Sequence, residues 1–358
     1  MIFYVNNNKP IRPTMVIAPV LGNFKHNTGI NNAKWNLPDQ KRKLHHPGFI
    51  RYMVLILQIS IFLSAKSANA QSDGFTYKWQ NVNGLKIFYR SAGNAKNPAI
   101  VLLHGFPTSS IVYQGLMDLL KKDFYLIAPD YPGHGYSQVP DSNYAFTFDN
   151  ISNTIGGLLD SLGIHHYSLY MQDYGAPVGF RLAVKHPERI NALIIQNGNA
   201  YMKGFPEAQD TKGELQQYWR DKNKKYEIDW IDYYRKASLV LPEKRNLAST
   251  VNPDRRIMDA EIMLKPGRLE LFMQLWFDYG NNVKDYPQWH EYLRKYQPPV
   301  LITWGKEDTY FTIPGALAYL KDVPKAEIHL LNGGHWAVEE NTAEIAELIE
   351  SFLKRNFF

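Results

Sequence analysis

The chain has 358 residues, 45% of them apolar, which is enough to bury a substantial core in one large or two modest domains. It has no cysteine, which excludes disulfides, thiolate nucleophiles and thiolate-bound metals. Its formal charge of +6 invites a nucleic-acid or anionic-membrane reading. Residues 1–70, however, hold nine of the 40 Lys/Arg and one of the 34 Asp/Glu, leaving 71–358 with a net charge of −2. The basic character belongs to the leader, and a nucleic-acid partner is set aside.

The leader is readable in its own right. Arg51 precedes an apolar run, Met53–Leu63, interrupted only by Gln58 and Ser60, and small residues follow up to Ala68-Asn69-Ala70. That is the layout of a secretory signal peptide over 53–70, with cleavage expected between Ala70 and Gln71. The run falls short of the roughly 20 apolar residues a membrane span needs, so no stable membrane insertion is expected after cleavage, with an uncleaved anchor as the second reading. The expected destination is periplasmic or extracellular. Residues 1–52 are read as a disordered extension or a mis-assigned start.

Thr76–Gln80 and Leu85–Ser91 read as strands joined through Asn83-Gly84, a strong hairpin signal. Ala99–Leu103 is wholly apolar, as a strand covered on both faces should be, and leads into His104-Gly105-Phe106-Pro107. A helix is expected over about 110–122, then a strand at Tyr125–Ala128 and a turn-rich loop, Asp130–Gly135. Ile151, Ile155, Leu158, Leu159 and Leu162 recur at helical spacing over 149–162. A strand at Tyr167–Gln172 turns sharply at Asp173 into a helix over 175–186, and Ile190–Gln196 is again a buried strand. The steady alternation predicts an α/β fold with a mostly parallel sheet flanked by helices. It breaks over 198–285, an aromatic-rich stretch with helices expected near 210–237 and 254–278, read as an inserted helical lid. Alternation resumes from 286 with strands at Val300–Trp304 and Ala326–Leu331, a helix at Pro314–Leu320 and a final amphipathic helix. The core is thus assigned to 71–197 and 286–358.

Three polar positions follow strands: Asp173, Asp308 and His335. Ligand sites of open α/β sheets lie beyond the carboxyl ends of the strands, and the chain order is acid, acid, histidine. Singly each is weak: an Asp after a strand is most often a helix cap, and a histidine in a glycine-rich loop most often just a loop residue. Glu307 competes with Asp308. His104 is read as a loop-shaping residue, and His134, His165 and His166 as surface or loop residues. No cofactor is expected, nor a metal, since no His/Asp/Glu cluster has ligand spacing.

Taken together, His104-Gly105-Phe106-Pro107, Asp173-Tyr174-Gly175 and Gly334-His335 resemble the motifs of the α/β-hydrolase superfamily, in the branch of epoxide hydrolases and haloalkane dehalogenases, over roughly 75–358. The resemblance implies an α/β-hydrolase fold with Asp173 as nucleophile, His335 as water-activating base and Asp308, preferred to Glu307, as its orienting acid. It also implies an oxyanion hole from the backbone N–H groups of Phe106 and Tyr174. A carboxylate, ionised at neutral pH, suits attack on a saturated carbon and leaves an ester that activated water then hydrolyses. The implied partners are a small apolar electrophile and water. Tyr174 replaces the tryptophan with which dehalogenases of this branch hold halide. Phe277-Asp278-Tyr279-Gly280-Asn281 resembles the epoxide hydrolase lid motif, making Tyr279 the leaving-group donor and Tyr218 or Tyr233 candidates for a second. Epoxide opening is therefore placed ahead of dehalogenation, with a non-catalytic ligand-binding homologue as a third reading. Met171 and Gly280 depart from the family pattern.

Overall fold

A computed structural model describes residues 74–206, 214–238 and 253–357. The leader, with its expected cleavage site, lies outside the described residues. Strands β1 (Phe75–Val82) and β2 (Leu85–Ala92) form the expected hairpin, with Asn83 at φ 51° and Gly84 at φ 88°. Positive φ at both central residues matches the twist of the flanking strands, which is why an Asn-Gly pair sits there.

The remaining strands are β3 (Ala99–Leu103), β4 (Tyr125–Pro129), β5 (Tyr167–Gln172), β6 (Ile190–Gln196), β7 (Val300–Gly305) and β8 (Glu327–Leu331). They make one eight-stranded sheet in the order β1-β2-β4-β3-β5-β6-β7-β8. β2 runs antiparallel to both β1 and β4, and every other pairing is parallel. Alternate residues of the inner strands feed two cores, because successive side chains point to opposite faces. Val101, Leu103, Leu169 and Met171 join one core, and Ile100, Leu102 and Tyr170 the other.

The helices between strands are α1 (Gln114–Leu120), entered through a 3-10 turn at Ser110–Tyr113, α2 (Phe148–Ser161) and α3 (Gly175–Lys185). Four helices follow β6: α4 (Glu214–Asp221), α5 (Lys224–Ser238), α6 (Pro253–Met263) and α7 (Arg268–Tyr296). The two long lid helices expected from the sequence are thus four. Position 286, taken as the return to the core, lies inside α7, which carries Pro287 without ending. A chain that leaves the lid on one continuous helix shows no composition break at that point. Short α8 (Ile313–Ala318) and α9 (Ala337–Glu340) and the long α10 (Thr342–Phe357) complete the chain.

Two polar links tie the lid to the helices beside Asp173. Asp278 of α7 accepts the Phe148 N–H at 2.8 Å, using a free N-terminal donor of α2. Arg181 of α3 donates to Asn282 and Asp285 of α7, each at 2.7 Å. Both lie within a helical turn or two of Tyr279, so that tyrosine is held from two sides.

Candidate active site

Asp173 directly follows β5 on a strained turn: its φ is 51°, a left-handed conformation that non-glycine residues rarely adopt. Two glycines make room. A Cβ on Gly105 would come within 2.5 Å of Asp173 Cβ, and one on Gly175 within 2.1 Å of the Leu103 carbonyl oxygen. The strand end, the 104–107 loop and the start of α3 are therefore pressed together around this carboxylate.

The Phe106 N–H donates to Asp173 Oδ1 at 2.7 Å. Asp173 Oδ2 lies 3.5 Å from His335 Nε2, and His335 Nδ1 is 2.8 Å from Asp308 Oδ2. All three side chains are more than nine-tenths buried. Burial alone would depress the His335 imidazole, but the Asp308 and Asp173 carboxylates overcome it and raise the pKa to about 10. Glu307 is exposed, so Asp308 is the acid beside the histidine.

Asp308 is held by the Tyr310 N–H on Oδ1 and Asn197 Nδ2 on Oδ2, both at 2.7 Å. Asn197, also left-handed at φ 45°, accepts the Gly305 N–H at 3.0 Å and so joins the ends of β6 and β7. Gln172 and Gln196, paired at the ends of β5 and β6, direct their amides at the His335 carbonyl at 3.5 and 3.2 Å. Sequence reasoning missed these three amides. Their one signal is that each closes, or directly follows, a largely apolar strand, where a buried polar group needs a partner.

His104 accepts the Tyr131 N–H at Nε2 (3.2 Å) and faces the Gly105 carbonyl through Nδ1 (2.9 Å). Burial pulls its pKa down to about 4, so it stays neutral and ties two loops together, as expected. His165 and His166 are exposed. His134 corrects the sequence reading in one respect: it is in a loop, but buried 4.7 Å from the Phe272 ring. The lid's apolar face covers it, which local composition does not reveal.

Both departures from the family pattern have a packing reason. Met171 fits because α3 carries glycine opposite it: a Cβ on Gly179 would lie 2.2 Å from Met171 Sδ. Gly280 leaves space for Trp219, whose Cβ would be 2.7 Å from a side chain there, and the Trp219 ring stacks on Tyr279 at 5.8 Å.

A cavity of about 340 Å³ lies between lid and sheet, lined by Asp173, Tyr174, His335 and, on the lid side, Tyr233 and Tyr279 among others. Tyr279 is buried and its phenol is pushed well above its ordinary range by burial. Its hydroxyl approaches that of Tyr286 without completing a well-formed hydrogen bond. Tyr233 lines the same cavity but is 60% exposed, at its mouth. Tyr218 does not line it: its hydroxyl donates to Glu227 at 3.1 Å and the Met273 carbonyl at 3.3 Å, bracing the lid helices. A tyrosine in an aromatic lid can face either way, and helical packing turned this one inward. Tyr234 and Tyr310, not singled out from the sequence, do line the cavity. Among the described residues no group of three or more His, Asp or Glu is placed to hold a metal ion.

A buried acid–histidine–acid chain along the carboxyl edge of a mostly parallel sheet, beneath a helical lid, defines a hydrolase of the α/β class. Comparison with known proteins agrees. Residues 98–228 match the family described as the alpha/beta hydrolase fold. An uncharacterized hydrolase of Saccharomyces cerevisiae is 40% identical over 289 residues, covering 78% of this chain and 97% of the relative. The chain belongs to the α/β-hydrolase superfamily. A cis-3-alkyl-4-alkyloxetan-2-one decarboxylase of Shewanella oneidensis is 27% identical over 294 residues, covering 76% of this chain and 86% of its own. In structure, the epoxide hydrolase VrEH1 of Vigna radiata superposes with a TM-score of 0.62 at 20% identity, over 80% of this chain and all of its own. Haloalkane dehalogenases occur among both the relatives and the structural neighbours.

Proposed function

We propose that this hydrolase opens small electrophiles through an alkyl–enzyme ester on Asp173, with epoxides as the preferred class. The observation that carries the reading is the position of the Asp173 carboxylate, between the Phe106 N–H at 2.7 Å and His335 Nε2 at 3.5 Å, on the floor of an aromatic cavity. An Asp173 oxygen bonds to an epoxide carbon, the carbon–oxygen bond breaks, and the released alkoxide takes a proton from Tyr279. The His335 imidazolium returns a proton through solvent to the Tyr279 phenolate, so that it can serve as base. Water then adds to the Asp173 carbonyl carbon while His335 takes its proton. The Phe106 and Tyr174 N–H groups hold the oxyanion. As the ester bond breaks, the leaving oxygen takes the second proton of the attacking water from the Asp173 carboxyl, releasing a diol and restoring the Asp173 carboxylate.

The charge arrangement favours this order. In the free enzyme two carboxylates hold His335 protonated at neutral pH. Esterification removes the Asp173 charge, so the imidazole pKa falls and the base becomes available once there is an ester to hydrolyse. Dehalogenation is the second reading, supported by Trp230 and Trp336 in the cavity wall, since indole is a donor type that suits a halide; the Trp276 N–H is taken up by the Tyr226 hydroxyl at 3.4 Å.

His335→Gln is expected to leave alkylation intact and to slow hydrolysis by about 10²–10⁴-fold. Mass spectrometry of the Asp173 peptide after incubation with epoxides and alkyl halides then identifies both residue and substrate class. An unmodified peptide with every compound rules the mechanism out. Tyr279→Phe separates the two classes further. Epoxide turnover is expected to fall at least about tenfold, since an alkoxide must be protonated, and turnover of an alkyl bromide to change little.

A further inference from the structure

We infer that the cavity above Asp173 takes electrophiles bearing a flat aryl or conjugated group. This rests on the reaction proposed above and adds its substrate class. Of the 19 described residues that line the cavity, 12 are Phe, Tyr or Trp, and only Pro107, Leu215, Ala237 and Met263 are aliphatic. A wall for alkyl chains needs methyl and methylene surface; this one is mostly π-face and ring edge.

Neighbouring rings along part of this wall are also in contact. From the residue beside Asp173 into the lid, Tyr174 and Phe106 lie 5.6 Å apart at 30°, Phe106 and Trp230 5.6 Å apart at 32°, and Trp230 and Trp276 6.0 Å apart at 23°. Each neighbouring pair is nearer parallel than perpendicular, while Tyr234 meets Phe106 edge-on at 71°. The wall thus offers ring faces and ring edges, both of which a planar aromatic ligand can meet in offset or edge-to-face contact. A puckered ring of the same carbon count meets such a wall with only some of its atoms.

Size and charge narrow the class. A volume of about 340 Å³ is at the low end of ligand pockets, which run to about 1,000 Å³, and suits one aryl group with its reactive carbon and short substituents. Aromatic-walled cavities also bind quaternary ammonium ions. Here Arg256, its guanidinium 4.9 Å from the Trp336 ring centroid, and the protonated His335 set two positive charges in the lining against the single Asp173 carboxylate, a balance that opposes a cationic ligand.

The test uses ligands paired by carbon skeleton. Quenching of tryptophan fluorescence in the full-length protein is titrated with unreactive benzamide, cyclohexanecarboxamide and benzyltrimethylammonium. Benzamide is expected to bind at least about fivefold more tightly than its saturated partner, the ratio one good ring contact supplies. Trp276→Leu, which keeps apolar bulk, should shrink that ratio. Equal affinities, tighter binding of the saturated amide, or strongest binding of the ammonium ion would each overturn the inference. In parallel, His335→Gln is offered styrene oxide and cyclohexyloxirane. Ester forming faster on styrene oxide supports the inference, and ester forming only with cyclohexyloxirane overturns it. No ester with either, together with the benzamide preference, sinks the reaction mechanism while upholding the shape preference of the cavity.

Discussion

Asp308→Asn is expected to lower kcat by about 10⁴-fold, the scale seen when the acid of such a triad loses its charge. The carboxylate receives three groups: His335 Nδ1 and Asn197 Nδ2 on Oδ2, and the Tyr310 N–H on Oδ1. All three donate when His335 is protonated, and only an acceptor-only group satisfies them. An asparagine turns its own NH₂ toward one of them. If that one is His335, the imidazole keeps its Nδ1 lone pair inward and presents N–H, not a base, to the ester. Asp308 is also the strongest of the influences that raise the His335 pKa to about 10, so the variant's histidine should titrate well below that value.

The sign for stability follows. A histidine held above its unfolded pKa, about 6.5, contributes stability that is fully present below that pH and is lost as pH rises through about 10. Urea unfolding of wild type and Asp308→Asn should therefore differ most below pH 6.5 and converge toward pH 10. A constant difference across that range would assign Asp308 a role in packing alone. Ester accumulating during turnover, followed by rapid quench and mass spectrometry, reports the kinetic defect independently.

Gly175→Ala is the second change with a large expected effect. Its Cβ would sit 2.1 Å from the Leu103 carbonyl oxygen, which is backbone at the end of β3 and has no rotamer to escape into. Something in the sheet must move. Overpacking of this kind costs about 1–3 kcal/mol and more where backbone resists, so Tm should fall by at least about 2–5 °C. Leu103 is followed by the loop that carries the Phe106 N–H, and its displacement pulls that donor off Asp173 Oδ1. Activity should therefore fall further than stability explains, measured at a temperature where the variant remains folded by circular dichroism. Full activity in a folded variant would show that the 104–107 loop is not positioned by this contact.

Much of this was legible in the chain itself. The largely apolar strands Ala99–Leu103 and Ile190–Gln196 are buried from Ile100 and from Ala192 onward, and the Asn83-Gly84 hairpin is where local turn chemistry puts it. These features are local: they depend on the period of side chains along a strand or helix and on φ preferences at a turn, which neighbours in sequence decide. The chain order of Asp173, Asp308 and His335 was visible for the same reason, since each stands where a predictable strand ends.

What the linear chain could not decide is which side chains face one another across the fold. Tyr218 and Tyr279 both stand in aromatic lid helices, yet one hydroxyl turns to Glu227 and the other lies at the cavity over Asp173. Asn197 reaches Asp308 across 111 positions, and Gly179 makes space for Met171 only because α3 folds back on β5. By itself the sequence determined the strands, the turns and the three positions able to do chemistry. The tertiary structure decided their distances, the amides that hold His335, and which aromatic rings wall the cavity, because those depend on contacts between distant segments that no local pattern encodes.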